Sequence, residues 1–223
     1  MNKAYDLPMQ RLLREIEADV SDTAYLTGRA SLDARVLKAF GQVPRHAFVP
    51  EGLEDKAYDN YPLPIGYGQT ISQPYIVALM TDLIRPQPEH VVLEVGTGSG
   101  YQAAVLAGLV RQVYSLEIVT SLVQPARQRL QRLGYDNVEV RCGDGREGWP
   151  EHAPYDGILV TAAAEEVPPA LIEQLKPGGS LVIPVGSSFF GQQLRLISKE
   201  VDGSVHARNV LPVVFVPLTG GAV

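Results

Sequence analysis

The sequence predicts an α/β fold built on a doubly wound, mostly parallel sheet, with helices ahead of it and an antiparallel hairpin after it. Three observations lead there. Short apolar runs alternate with segments of helical period from residue 91 onward. Those runs are apolar at nearly every position, as strands covered on both faces must be. The last two runs follow one another with no helix between them, the pattern of adjacent antiparallel strands.

In chain order, Leu12, Leu13, Ile16 and Val20 fall at helical spacing within residues 9–20, and Leu32, Val36, Leu37 and Phe40 repeat the pattern after Ser31. Two amphipathic helices therefore open the chain. Between Pro44 and Gly68 the residues Pro, Gly, Asn and Tyr leave no regular period, and a long irregular segment on a compact domain usually carries function. A helix resumes over residues 76–84, and Pro86 and Pro88 end it. Strands are expected at Val91–Val95, 113–117, Val138–Cys142, 157–161 and 180–185, the last after the turn residues Pro177, Gly178 and Gly179. Helices are expected between them over residues 101–109, along Leu122, Ala126, Leu130 and Leu133, and over residues 168–175. Residues 194–197 and 210–216 form the closing hairpin.

Composition narrows the function. The 223 residues are 45% hydrophobic and 20% charged, with a mean hydropathy of +0.01, the profile of a folded globular chain. A net charge of −6 disfavours nucleic acid as a partner. No run approaches the roughly 18 apolar residues of a membrane span, and the N-terminus is too acidic and interrupted for a signal peptide, so a cytoplasmic protein without a membrane partner is expected. A monomer is the expectation for its assembly, although no feature of the sequence fixes the oligomeric state. Cys142 is the single cysteine, and His46, His90, His152 and His206 are scattered without ligand spacing, so no metal is expected.

The strongest local chemistry is Val91-Val-Leu-Glu-Val-Gly-Thr-Gly-Ser-Gly-Tyr, a strand running through Gly96, Thr97, Gly98 and Gly100 into a helix. It is not the dinucleotide pattern, because the third glycine comes one position early and Tyr101 stands where glycine is needed. Glu94 precedes the glycines, Glu117 ends the next strand 21 residues after Gly96 (117 − 96 = 21), and Asp144 lies between Gly143 and Gly145 after the third strand. Three carboxylates at successive strand ends suit ribose hydroxyls and a cationic ligand better than a phosphate. A sulfonium nucleoside fits that description.

Upstream stands a more specific string, Tyr61-Pro-Leu-Pro-Ile-Gly-Tyr-Gly-Gln-Thr-Ile-Ser-Gln-Pro-Tyr, accompanied by Val43-Pro-Arg-His-Ala-Phe-Val-Pro, Pro154-Tyr-Asp-Gly-Ile-Leu-Val-Thr-Ala-Ala, Gln174-Leu-Lys-Pro-Gly-Gly and Phe215-Val-Pro-Leu. With these segments the chain resembles the bacterial protein-L-isoaspartate (D-aspartate) O-methyltransferases from about Arg35 to Thr219. The resemblance implies a Rossmann-like class I methyltransferase using S-adenosyl-L-methionine, with S-adenosyl-L-homocysteine as product. Its substrates would be isoaspartyl-containing proteins and peptides, with D-aspartyl residues a further candidate. It implies a catalytic or substrate-orienting Ser72, and cofactor contacts at Gln69, Thr70, Ser72, Glu94, Glu117, Ile118, Asp144, Gly145 and Thr219 together with the loop residues Gly96, Thr97, Gly98 and Gly100. Glu94 stands where aspartate is frequent, and Val77 where some eukaryotic relatives have histidine. Residues 1–34 match loosely, with residues 20–31 reading as an insertion. The expected organisation is one domain: residues 1–88 as N-terminal helices and substrate-side loop, 89–190 as the cofactor-binding core, and 191–223 as C-terminal strands.

Such a reaction needs no general base, since the freed α-carboxyl has a pKa of about 3.3 to 3.7 and is already ionised. Ser72 has a second reading, as the cap of the helix beginning near Pro74. Trp149 reads as packing beneath the loop after the third strand, with stacking on adenine as its alternative, and Tyr58, Tyr61, Tyr67 and Tyr75 read as packing the long loop. Two other functions stay open on the residues alone. A small-molecule or RNA methyltransferase would share the glycine loop, and a non-catalytic module could retain the fold.

Overall fold

The computed structural model describes residues 3–187 and 189–220. The outermost parts of the expected first and last segments, residues 1–2 and 221–223, lie outside the described residues. Helix α1 (Asp6–Asp22) buries Leu12, Ile16 and Val20, the stripe its spacing announces. A single turn, α2 (Ala24–Thr27), ends on Gly28 in the left-handed conformation. Helix α3 (Ala34–Gln42) starts from Asp33, whose carboxylate accepts from the Arg35 N–H. The residues 20–31 that read as an insertion are tied down toward their C-terminal end: Arg29 pairs with buried Asp82 at 3.2 Å, and Arg208 donates to the Thr27 carbonyl at 3.0 Å.

The segment read as irregular contains a hairpin that its sequence conceals. Strands β1 (Leu63–Gly66) and β2 (Gln69–Ile71) pair antiparallel across Tyr67, which itself has φ 53°. Prolines at 62 and 64 and strands of only four and three residues remove the alternation by which a strand is recognised. Helix α4 (Pro74–Leu83) follows with all ten residues buried.

The main sheet has seven strands in the order β5-β4-β3-β6-β7-β8-β9. They are β3 (Val91–Val95), β4 (Gln112–Glu117), β5 (Val138–Cys142), β6 (Tyr155–Val160), β7 (Leu175–Ser187), β8 (Gly191–Lys199) and β9 (Val205–Val213). The β3–β4, β4–β5, β3–β6 and β6–β7 pairs are parallel, and β8 and β9 add antiparallel. Helices α5 (Tyr101–Ala107), α6 (Thr120–Arg132) and α7 (Pro169–Glu173) make the connections. Strand residues alternate between two cores. Val92, Leu159 and Val182 pack with the N-terminal helices, while Leu93, Val95, Ile158, Val160, Leu181 and Ile183 pack with Leu171 and Trp149 on the other face. That two-sided burial is why the central runs are apolar throughout.

Two expected boundaries are corrected. Strand β7 begins at Leu175, where a helix was expected to end, because Leu175 already pairs with Tyr155 of β6; the Lys-Pro-Gly-Gly stretch then bulges before pairing resumes at Ser180. Strand β9 begins at Val205 and not at 210, since its first five residues are exposed on the sheet edge and carry no apolar signal.

Candidate functional site

Strand β3 leads out to β4 and β5 on one side, and the chain returns on the other side as β6. The carboxyl ends of β3 and β6 therefore meet at the switch point where open α/β sheets bind ligands. A cleft opens there, with Gly96 and Gly98 on its floor, Glu117, Ile118, Gly143 and Gly145 on one wall, and Gln69, Thr70, Thr161, Leu218 and Thr219 on the other. Strand β2, the segment after β9 and three loops of the sheet thus converge.

The loop after β3 is shaped by close approach. Gly96 has φ 98°, and a Cβ there would lie 2.2 Å from Thr161 Oγ1. Thr161 occupies that space to donate to the Gly96 carbonyl at 2.7 Å. Gly98 has φ 53° and donates its N–H to Glu117 Oε2 at 2.7 Å, while Val119 N–H donates to Oε1 at 2.9 Å. Both oxygens of Glu117 are thereby oriented at the cleft wall, with lone pairs left over for further donors.

The structure divides the predicted residues. Gln69, Thr70, Gly96, Gly98, Glu117, Ile118, Gly145 and Thr219 line this cleft. Glu94 does not. The pleat turns its side chain to the covered sheet face that Val92 also occupies, where it is 0% exposed and accepts from Ser115, its partner on β4. Burial pushes its carboxyl up to about 8, opposed by the Ser115 hydrogen bond and reinforced by the charge of Glu117. Thr97 is buried beside it with its hydroxyl on the same Ser115, so both residues brace the loop from beneath. Gly100 begins α5 and faces Leu130. Asp144 turns its carboxylate to Arg146, at 2.6 Å, and leaves the lining to its glycine neighbours. Thr161 is a lining residue the sequence reading missed, although it closes the expected strand 157–161 at the switch point.

A second cleft adjoins the first. Ser72, Tyr75, Ile76, Asp19, Thr23 and the segment 211–216 line it, and Thr70, Thr161 and Val216 line both. Ser72 is not a helix cap: the N-cap of α4 is Gln73, which itself makes no side-chain cap bond. The Ser72 hydroxyl has no hydrogen-bond partner among the described residues and borders the cleft. The wall behind it is fixed by polar contacts: Asn60 accepts from Tyr75 N–H at 3.0 Å and donates to Asp19 at 2.7 Å, and Tyr75 Oη meets Thr23 Oγ1 at 2.5 Å.

The remaining aromatic expectations separate. Trp149 is 3% exposed, edge-on to Tyr114 and covered by the Arg141 guanidinium, so it packs and does not border the cleft. Tyr58 and Tyr75 are buried as packing residues, but Tyr61 and Tyr67 are 43% and 64% exposed because the β1–β2 hairpin carries them outward. Among the described residues no group of three His, Cys, Asp or Glu side chains could hold a metal ion, and no helix is long and apolar enough to cross a membrane.

Known proteins share this arrangement. The family model described as protein-L-isoaspartate(D-aspartate) O-methyltransferase matches residues 25–223. Protein-L-isoaspartate O-methyltransferase 2 of Polaromonas sp. is 64% identical over 209 residues, 94% of this chain and 99% of the relative. Its namesake from Syntrophobacter fumaroxidans is 59% identical over 217 residues, 97% of this chain and 88% of the relative. Among solved structures, a protein-L-isoaspartate O-methyltransferase superposes with a TM-score of 0.83 at 29% identity, covering 96% of this chain and 67% of the other. A Plasmodium falciparum chain assigned to the same activity, in complex with S-adenosyl-L-homocysteine, gives 0.77 at 25% identity, covering 96% and 98%.

Proposed function

The chain belongs to the protein-L-isoaspartate(D-aspartate) O-methyltransferase family, and from that premise we infer that its two clefts divide the repair reaction between them. It transfers a methyl group from S-adenosyl-L-methionine to the free α-carboxylate of L-isoaspartyl residues in damaged proteins and peptides. The methyl ester then converts through a succinimide. The reading carried over from the sequence is a single cytoplasmic domain acting as a monomer, on D-aspartyl residues as well, without nucleic-acid or membrane partners.

One observation carries the division: Thr70 and Thr161 stand in both clefts, so a ligand in each would meet between them. The glycine-floored cleft fits the cofactor. Its floor would be filled by a Cβ at Gly96, and Glu117 presents a carboxylate already aimed by two backbone N–H groups, the acceptor a ribose diol requires. Ile118 and Gly145 flank the adenosine side, and Gln69, Thr70 and Thr219 close the opposite wall. The bound cofactor supplies an electrophilic methyl on a sulfonium. On the other side, Ser72 and Thr70 offer hydroxyl donors to the substrate carboxylate. Since that carboxylate is ionised without help, these residues orient a nucleophile and remove no proton. Glu94, buried beneath the loop, is linked through Ser115 to the Thr97 hydroxyl and lines neither cleft.

The test is a pair of peptides differing only in backbone connectivity, with labelled cofactor. The isoaspartyl peptide is methylated to a base-labile ester that releases methanol as the neighbouring amide closes on it. Equal labelling of the α-linked twin, or a base-stable product, would defeat the assignment.

A further inference from the structure

Arg45 is the least expected side chain in this molecule. It sits in a short 3-10 turn (Arg45–Phe48) after Pro44 and is 0% exposed. Among the described residues it has no carboxylate partner, and its Nε and Nη1 have no hydrogen-bond acceptor. Its guanidinium lies 4.7 Å from the centroid of the buried Tyr101 ring, whose hydroxyl also lacks a bonded partner. Burial drives its pKa down, partly offset by Tyr101 and Tyr58. A buried cation without a counter-charge destabilises a fold, and apolar replacements of buried charges are often neutral or stabilising. Core stability therefore gives no reason for an arginine at this position.

Its bond to the main chain gives the reason. Arg45 Nη2 donates to the main-chain carbonyl of Ser72 at 2.8 Å. The bond comes from inside the protein, whereas the Ser72 side chain borders the substrate cleft. Ser72 lies between β2 and α4, and no side-chain cap holds the start of α4. The arginine is thus a direct side-chain anchor for the Ser72 backbone. The positive charge also lies just behind the place where an anionic substrate group docks, where low polarity magnifies its field.

We propose that Arg45 is a positioning residue for Ser72: its buried guanidinium pins the Ser72 main chain so that the hydroxyl is presented to the substrate carboxylate. The proposal rests on the reading of Ser72 as the carboxylate-orienting group. It also gives a task to the Val43-Pro-Arg-His-Ala-Phe-Val-Pro segment, which lies outside both clefts.

Two variants and a control test it. R45M keeps an unbranched apolar stem and removes the charge. It lowers turnover on isoaspartyl peptide about tenfold or more, leaves S-adenosyl-L-homocysteine affinity within about twofold, and does not lower the melting temperature. A lower melting temperature with the wild-type rate per folded molecule makes Arg45 purely structural and overturns the proposal. R45K, which keeps a donor but not the fork, decides the matter even where R45M does not fold. It slows the wild-type background about threefold or more and the S72A background by less than twofold, because a residue acting through Ser72 has nothing left to position once the hydroxyl is gone. Equal losses in both backgrounds overturn the proposal. S72A alone at the full rate overturns the reading of Ser72 instead, so the two failures are distinguishable.

Discussion

The two clefts are built by different means. The cofactor side rests on the ends of parallel strands, where Glu117 finishes β4, Gly96 leaves β3 and Thr161 leaves β6 within one hydrogen-bonded cluster. The substrate side is assembled from pieces distant in the chain: Asp19 of α1 and Thr23 just after it, Asn60, the β1–β2 hairpin, the entry to α4 and the end of β9 with the segment that follows. The first design tolerates variation outside the loop, because backbone geometry does the positioning. The second depends on individual side-chain contacts. Substitutions on the cofactor side should therefore act through backbone shape and affinity, and those on the substrate side through rate.

The largest effect falls on the glycine loop. Gly96→Val places a branched carbon where Thr161 Oγ1 lies 2.2 Å away and forces a left-handed backbone angle on a β-branched residue. Cofactor binding should fall by more than about 3 kcal/mol in calorimetry, with a loss of stability beside it. A variant that binds S-adenosyl-L-methionine normally would show that the loop can re-form around the clash.

Glu117→Ala comes next. It removes an acceptor for the ribose together with the anchor of the Gly98 and Val119 N–H groups, and should weaken cofactor binding by about 1.5 to 3 kcal/mol while the protein remains folded. Unchanged affinity would take Glu117 out of the site.

Ser72→Ala sharpens the contrast from the other cleft. Turnover should drop about five- to fiftyfold, while cofactor affinity and melting temperature stay near wild type, since the hydroxyl makes no bond that the fold uses. A lower melting temperature with an intact rate would restore the capping role that the position of Gln73 argues against.

The last effect is on stability and is a pH dependence. Glu94 titrates at about 8 in the folded chain against an ordinary 4.5, so the folded state holds its proton more tightly than the unfolded state does. Its contribution to stability is complete below about pH 4.5 and is lost as pH rises through about 8. Glu94→Gln keeps the shape without the proton, and melting curves between pH 5 and 8 should be flatter for the variant than for the wild type. Parallel curves would mean that Glu94 stays ionised in the fold.

By itself the sequence determined the order of strands and helices from residue 91, the glycine loop and Glu117, because periodicity, strand ends and glycine spacing are local properties. The Tyr61–Tyr75 string marked the substrate side in the same way. The tertiary structure alone decided which of the aligned acids reach the cleft. Glu94 and Glu117 look alike in sequence, but the pleat of β3 turns one onto a buried sheet face, and the end of β4 leaves the other beside the loop. It also decided that Thr161 belongs to both clefts, that Asp144 faces Arg146, and that the irregular segment hides a hairpin. The anchoring of Ser72 by Arg45, 27 residues earlier in the chain, left no trace in any local pattern. Side-chain direction and long-range pairing arise only when distant segments pack, and no window of sequence contains them.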